Sequence, residues 1–343
     1  MKKSKIAAVC ALALFMAGCG VQEASTTTYA MSTVVSQTVW AQSPEKVCSR
    51  VQQVLTDFEN QYSLYRSGSE VLAINEEAGK QPVSVSSEMY HFLQQALVLE
   101  KGYEDCFALT MAPVTLAWGV YTDTPRVVTT EEREQLLELV DDSALTLLED
   151  GKVQLKKSGQ GLDLGGIAKG AACDVVRAVY EEEGVSGALF DLGGNLMAVG
   201  KKPNGQAFRV GFRDPVEGQS SAMASFELND EVIAVSGGYE RFFEADGKRY
   251  AHIFDPQTAA PAESDLLAVG IVSPSGMEAD FYSTALYVGG LERTLDYMKQ
   301  GGKALALSVD GVFYVSAQLK DTFRWENGKE SVYTLQWIEA DET

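Results

Sequence analysis

The tetrapeptide Asp-Leu-Gly-Gly occurs twice in a short stretch of this chain, at 163–166 and 191–194. Each copy ends an apolar run and places a carboxylate beside two glycines, which allow positive φ angles and the close approach of a ligand. The sequence between the copies has a helical apolar period, formed by Ile167, Ala171, Val175, Val176 and Val179. This pattern predicts a glycine-rich turn leading into a helix, with Lys169 in its first turn. The N–H groups there can bind an anion, although two tight turns without a ligand would give the same pattern.

The start of the chain has the organisation of a secretory signal. A lysine-rich beginning precedes an apolar run at 6–17 that is too short to remain as a membrane span. Cys19 directly follows an Ala-Gly pair, as in the lipobox of bacterial lipoproteins. We therefore predict a signal peptide over 1–18, a lipidated Cys19 with a flexible tether over 19–37, and a domain over 38–343. The expected location is extracytoplasmic, with the lipid on Cys19 as the membrane anchor; ordinary cleavage beside an incidental cysteine is the alternative.

The charge and the cysteine content exclude several classes of protein. The formal net charge is −20, and loss of the lysine-rich signal would make it more negative. Such a protein is unsuited to bind nucleic acid, whose phosphates attract basic surfaces. After processing, the remaining cysteines are Cys48, Cys106 and Cys173, whose wide spacing fits neither a disulfide framework nor a zinc site. We expect all three to be buried apolar residues.

Helical patterns and hairpin turns predict an α+β fold. Amphipathic helices are expected at 44–61, from Ser86 or Ser87 to about Glu100, after a Thr129/Glu132 capping box, and from Ser275 to Gly289-Gly290. Hairpins are expected at the Asp-Gly pairs 150–151, 246–247 and 310–311. Hairpins mixed with helices indicate a mixed, largely antiparallel sheet in a single large domain.

Few residues suggest chemistry by themselves. Of the two histidines, His91 falls within a predicted helix, whereas His252 ends a hairpin strand and could accept a proton from a hydroxyl. Asp280 and Thr284 lie one turn apart on one helix face, which suits a Mg²⁺ ion that also binds phosphate oxygens. A structural histidine and a solvated Asp-Thr pair remain alternatives. The chain contains no Walker A, GxGxxG, HExxH or GxSxG sequence, so nothing supports a P-loop or serine-hydrolase site.

Several longer motifs occur in a fixed order between about Met31 and about Gly290. They are Met31-Ser32-Thr33, ENQYSLYRSGSEVLAIN, CFALTMAPVTLAW, LDLGGIAKG with Asp174, FDLGGN, SGGYERFF, HIFDPQTAAP and SPSGMEADFYSTAL. In this order they resemble the ApbE family, the FAD:protein FMN transferases, which are frequently extracytoplasmic lipoproteins. The resemblance implies an ApbE-like, T-fold-type domain with a nucleotide cleft.

The resemblance also implies an activity. FMN would pass from FAD to a Thr or Ser hydroxyl of an acceptor flavoprotein with an FMN-binding domain, and AMP would leave. Asp280 and Thr284 would hold Mg²⁺ with the carbonyl of Gly166, and His252 would be the base. Lys169 would face the FAD phosphates and Asp163 the nucleotide. Other residues implied to border the flavin and adenine are Met31, Tyr65, Cys106, Phe107, Ala108 and Phe254.

The chain departs from the family pattern at four positions. Ala108 and Gly238 stand where the family has an acid, Ala171 where it has Tyr, and Ala259 where it has Gly. An acid missing at 108 removes a possible acceptor of FAD hydrogen bonds, while the metal and base positions are kept. A Mg²⁺-dependent FAD pyrophosphatase that releases FMN and AMP, and a non-catalytic FAD-binding lipoprotein, are the alternative functions.

Overall fold

The structure is a computed structural model that describes residues 20–217 and 221–341. The predicted signal peptide over 1–18 and Cys19 lie outside the described residues. In the part of the chain that is described, no helix is both long and apolar enough to cross a membrane.

A nine-stranded sheet forms the centre of the molecule, in the order β1-β2-β6-β7-β10-β15-β16-β17-β19. All neighbours pair antiparallel except β17 and β19, so the largely antiparallel sheet is confirmed. Its strands are β1 Gln22–Ala30, β2 Thr33–Ala41, β6 Gly187–Leu192, β7 Asn195–Gly200, β10 Val232–Ser236, β15 Leu266–Ser273, β16 Lys303–Ser308, β17 Val312–Ser316 and β19 Thr334–Ile338.

Smaller sheets surround the central one. A three-stranded sheet, β8 Phe208–Arg213, β9 Ala222–Leu228 and β18 Arg324–Trp325, encloses a second apolar core with the central sheet. The remaining strands are β3 Val83–Ser84, β4 Leu145–Leu148, β5 Lys152–Leu155, β11 Phe242–Ala245, β12 Lys248–Ala251, β13 Phe254–Asp255 and β14 Ala260–Pro261. The three predicted hairpins are confirmed, and each turn has its glycine at positive φ, between 73° and 79°.

Helices bury the larger apolar core against the opposite face of the central sheet, and two of them, the fourth and the fifth, pack instead in a third, smaller core. They are α1 Pro44–Tyr62, α2 Glu70–Glu76, α3 Ser87–Leu99, α4 Ala112–Trp118, α5 Thr130–Leu137, α6 Ala168–Glu182 and α7 Gly276–Lys299. Ser86 caps α3, and Thr129 and Glu132 form the predicted capping box of α5. The predicted end of α7 is a kink, because Gly290 has a φ of 78° and the chain then returns to helix. In α6, Val175 is 39% exposed, so its assignment to the apolar face is wrong.

The prediction of a flexible tether over 19–37 is wrong for residues 22–37. Residues Gln22–Ala30 form β1, which pairs along its whole length with β2 at the edge of the central sheet. Ladder hydrogen bonds to one neighbour hold an edge strand even when its side chains are polar, and the β-branched Thr residues suit an extended backbone. The Ser/Thr-rich composition was therefore compatible with a strand, and the folded body begins close to Cys19.

Helices α6 and α7 cross at a contact between two glycines. A Cβ on Gly170 would lie 2.0 Å from the Gly276 carbonyl oxygen, which no packing could accommodate without moving a helix. Asp174 fixes the start of α7, since its carboxylate accepts hydrogen bonds from the N–H groups of Gly276 (2.6 Å) and Met277 (2.9 Å). This crossing sets where the side chains of the first turns of α7 lie.

Candidate active site

A cleft of about 440 Å³ opens beside the start of α6 and α7. Its wall is built from the β1–β2 turn, the segment 106–111, the first Asp-Leu-Gly-Gly turn, and the segments 235–241 and 252–254. The structure brings every candidate site residue of the sequence analysis to this one cleft: Met31, Tyr65, Cys106, Phe107, Ala108, Asp163, Gly166, Lys169, His252, Phe254, Asp280 and Thr284. The volume falls within the range typical of small-molecule sites.

Oxygen atoms from three segments meet at the floor of the cleft. The hydroxyl of Thr284 donates to the carbonyl of Gly166 (3.2 Å), and Ser236 Oγ lies 3.4 Å from the same hydroxyl. Asp280, one turn earlier on α7, is 4% exposed, and its Oδ2 accepts a hydrogen bond from the N–H of Gly170 (2.8 Å). Asp280 therefore also caps the N-terminus of α6.

This donor set fits Mg²⁺. A carboxylate, a hydroxyl and a backbone carbonyl are hard oxygen ligands, which Mg²⁺ supplements with water and phosphate oxygens. Among the described residues there is no group of three or more His, Cys, Asp or Glu that could hold a metal, so a protein-only cage is absent there. A Cβ on Gly166 would lie 3.1 Å from both Phe107 and Thr284. Glycine thus lets the carbonyl approach the Thr284 hydroxyl.

The hydrogen bond made by His252 defines its tautomer. Its Nδ1 lies 3.1 Å from the carbonyl oxygen of Arg241, which also accepts from the backbone N–H of His252. Because a carbonyl only accepts, Nδ1 carries the hydrogen in the neutral ring and Nε2 keeps a lone pair. Burial and the nearby Lys169 ammonium lower the pKa of His252 to about 4. The ring is therefore neutral at physiological pH and can accept a proton at Nε2.

Asp163 holds the first glycine turn in place. One carboxylate oxygen accepts from the Gly165 N–H (2.9 Å) and the other from the Thr115 hydroxyl (2.6 Å). The side chain lines the cleft, yet both oxygens already bind the protein. Lys169, the second residue of α6, also lines the cleft, as the sequence predicted for a cation in the first turn.

Aromatic side chains form the mouth of the cleft. Tyr65 and Tyr121 are 50% and 38% exposed, and their ring centroids are 6.0 Å apart. The Arg241 guanidinium lies 4.8 Å from the Tyr121 centroid and donates to the Ser32 carbonyl. Exposed tyrosines with a cation against one of them suit a planar aromatic ligand.

Sequence reasoning missed Tyr121, Arg241 and Ser236 as site residues. Arg241 and Ser236 belong to the quoted SGGYERFF motif, so the motif was the signal that could have identified them. Tyr121 follows the quoted segment 106–118 by three residues and carried no local signal. The aromatic contact with His252, at 6.1 Å between ring centroids, appears only in the folded chain.

The cysteines and one turn complete the description. The three described cysteines are free and buried, as predicted. Cys106 borders the cleft, but burial and the Asp105 charge raise the pKa of its thiol to about 12, so it is not a thiolate at neutral pH.

Met31 reaches the cleft from a two-residue turn in which it and Ser32 have positive φ, 49° and 59°.

The structure shows what two of the four departures mean for the backbone and its neighbours. Ala259 has a φ of 49°, a left-handed conformation in which glycine is unstrained. A Cβ at Gly238 would lie 2.7 Å from the hydroxyl oxygen of Tyr287, so an acid there would require Tyr287 to move. Ala171 is buried in the helix layer, and Ala108 lines the cleft.

Comparison with known proteins gives consistent matches. The sequence pattern that defines the ApbE family matches residues 31–307. An FAD:protein FMN transferase of Treponema pallidum is 31% identical over 325 residues, 89% of this chain and 90% of that protein. One of Klebsiella pneumoniae is 31% identical over 257 residues, covering 75% of this chain and 79% of that protein.

Solved structures agree with these relatives. The crystal structure of the ApbE protein of Thermotoga maritima superposes with a TM-score of 0.81 at 28% identity, covering 88% of this chain and all of that one. The flavin transferase ApbE of Vibrio cholerae gives a TM-score of 0.78 at 26% identity, covering 88% of this chain and 99% of that one. The predicted ApbE-like fold is confirmed.

Proposed function

The chain belongs to the ApbE family, and from this premise we propose that it is an FAD:protein FMN transferase. FAD is the substrate, and the acceptor is a flavoprotein with an FMN-binding domain that presents a Thr or Ser hydroxyl. AMP is the other product. The observation that carries the proposal is the meeting of Asp280, Thr284 and the Gly166 carbonyl in the cleft that also contains His252 and Lys169.

His252 is the proposed general base. In the transfer step the acceptor oxygen forms a bond to the FMN-side phosphorus, and the bond from this phosphorus to the bridging oxygen breaks. AMP leaves with the bridging oxygen, and the hydroxyl proton passes to Nε2 of His252. The Arg241 carbonyl fixes the tautomer that this step requires. Because its pKa is lowered to about 4, the ring needs no prior deprotonation at neutral pH.

The cleft also provides for the charge of the diphosphate. Lys169 lies in the first turn of α6, where its ammonium and the positive end of the helix dipole favour an anion. A Mg²⁺ ion held by Asp280, Thr284 and the Gly166 carbonyl would supply positive charge against the same phosphates. Asp163 contributes by holding the glycine turn, and the tyrosines at the mouth accommodate the flavin ring.

A gel assay tests the activity. The protein is mixed with FAD, Mg²⁺ and a candidate acceptor domain, and flavin fluorescence is measured after denaturing electrophoresis. A fluorescent acceptor band supports the proposal, provided that the band is lost when the target Thr or Ser is replaced by Ala. Free FMN without a band would instead identify an FAD pyrophosphatase. Unchanged FAD that co-purifies with the protein would identify a binding protein without turnover.

We also propose that the mature protein is anchored outside the cytoplasmic membrane by lipid on Cys19. This rests on the lipobox-like Ala-Gly-Cys sequence. Strand β1 begins at Gln22, so the lipid would hold the folded body close to the bilayer. Labelling of cells with a fatty-acid analogue should mark the wild-type protein and not Cys19→Ala. Equal labelling of both would reject the anchor.

A further inference from the structure

The cleft segment 106–111 is held from behind by one carboxylate. Asp142 accepts hydrogen bonds from the N–H of Leu109 (2.5 Å), from the N–H of Thr110 (2.9 Å) and from the Thr110 hydroxyl. On the other side, the Leu109 carbonyl accepts from the N–H of Asp163 (2.8 Å). The segment is therefore tied between Asp142 and the first Asp-Leu-Gly-Gly turn. Asp142 does not line the cleft itself.

The carboxyl of Glu100 completes this arrangement. Glu100 caps the end of α3, is 5% exposed, and lines the same cavity as Asp142. Burial and the neighbouring Asp142 charge raise the pKa of Glu100 well above its ordinary range. Two carboxyl groups can share a hydrogen bond only when one of them holds a proton. A Glu100 carboxyl that keeps its proton can therefore donate a hydrogen bond to Asp142.

The other charged groups near Glu100 and Asp142 do not compensate for loss of the Glu100 proton. Glu104 adds a further negative charge that disfavours ionisation of Glu100. Asp141 faces the same cavity and is neutralised by Lys157, with 2.7 Å between the Asp141 carboxylate and the ammonium. Ionisation of Glu100 would therefore place a buried negative charge beside Asp142, with the Glu104 carboxylate also nearby.

Open space borders this wall at Ala108. A second cavity of about 420 Å³ lies behind it, lined by Glu100, Asp142 and Ala108 among others. Ala108 lines both this cavity and the cleft. The side chains of Phe107 and Leu109 are packed in the larger apolar core, while the backbone N–H groups of Leu109 and Thr110 are fixed by their hydrogen bonds to Asp142.

We propose that Asp142 is a positioning residue for the flavin-binding wall 106–111, and that the wall keeps its shape only while Glu100 donates its proton to Asp142. This inference rests on the proposed function, because it takes FAD as the ligand of the cleft. The binding of FAD alone tests it, since binding needs neither an acceptor nor turnover.

The experiment measures the Kd of FAD by fluorescence for the full chain. Asp142→Asn should weaken binding about tenfold or more, since small displacements of a binding wall are costly. Thr110→Val removes the hydroxyl, which donates to Asp142 and accepts from the Asp141 N–H, but keeps both backbone bonds to Asp142, so it should weaken binding less. Asp150→Asn is the matched control, as Asp150 lies at the β4–β5 turn outside the cleft. Circular dichroism checks that each variant is folded.

The proton is tested by Glu100→Gln, whose amide can donate to Asp142 at any pH. Between about pH 7 and about pH 9.5 the wild type should lose FAD affinity progressively, and Glu100→Gln should keep it. Parallel pH dependence in both proteins would overturn the role of the proton. Wild-type affinity in folded Asp142→Asn and Thr110→Val would overturn the positioning role. If the wild-type protein binds FAD but does not transfer FMN, the proposed function is refuted and the role of Asp142 is not. If it does not bind FAD, both are refuted.

Discussion

Replacement of Asp280 by Asn separates its two roles. In the structure Oδ2 of Asp280 caps α6 through the Gly170 N–H at 2.8 Å, and Asp280 lines the cleft together with Thr284 and Gly166. The Asn carbonyl can still accept from Gly170, so Asp280→Asn should change the free energy of unfolding by less than about 1 kcal/mol. Loss of the anionic ligand should lower the rate of FMN transfer by about 10²–10³-fold and remove its response to Mg²⁺.

The comparison with Asp280→Ala makes the test quantitative. Ala removes the cap as well as the charge, and a lost N-cap costs about 0.5–2 kcal/mol. Leaving the N–H of Gly170 buried without a partner adds to that penalty. Asp280→Asn and Asp280→Ala should therefore be equally inactive, but only Asp280→Ala should clearly lower the midpoint of urea unfolding. The assay is the fluorescent acceptor band at increasing Mg²⁺ concentration. Near-wild-type, Mg²⁺-responsive transfer by folded Asp280→Asn would refute the metal assignment.

Three further predictions concern the base, the helix crossing and the buried acid. His252→Ala should slow transfer about 10²–10⁴-fold. For the wild type, kcat/KM should fall on the acid side of its pH profile with an apparent pKa near 4, following the lowered pKa of His252. An apparent pKa near 6.5 would contradict the buried environment of His252 in the structure. Gly170→Ala should lower the free energy of unfolding by about 3 kcal/mol, because its Cβ would lie 2.0 Å from the Gly276 carbonyl oxygen. Urea denaturation measures this loss. An unchanged midpoint would argue against the close contact between α6 and α7. Glu100 keeps in the folded state a proton that it releases on unfolding, so stability should fall as pH rises above about 4.3, by up to about 1.4 kcal/mol per unit. Denaturation at several pH values should show this slope in the wild type and a shallower one in Glu100→Gln.

Local features were readable from the sequence because they are encoded within a few residues. Ser86 as the cap of α3, the Thr129/Glu132 capping box and the Asp-Gly hairpin turns depend on hydrogen bonds and φ angles of adjacent residues. The order of the motifs also predicted which side chains share the cleft. The composition of residues 22–37 wrongly predicted a flexible tether. An edge strand is held by backbone hydrogen bonds to its neighbour, and its own residues do not reveal that neighbour.

The sequence by itself determined α1, α3, α5, α6 and the start of α7, together with the three hairpins, because these depend on short-range geometry. The resemblance of its motifs to the ApbE family supplied most of the candidate residues of the cleft. Only the tertiary structure decided what each side chain does there. The tautomer of His252 depends on the Arg241 carbonyl, the dual role of Asp280 depends on Gly170, and Asp142 and Glu100 meet only when distant segments pack. Hydrogen bonds between residues far apart in the chain are set by the packing of whole elements, and no local pattern specifies that packing.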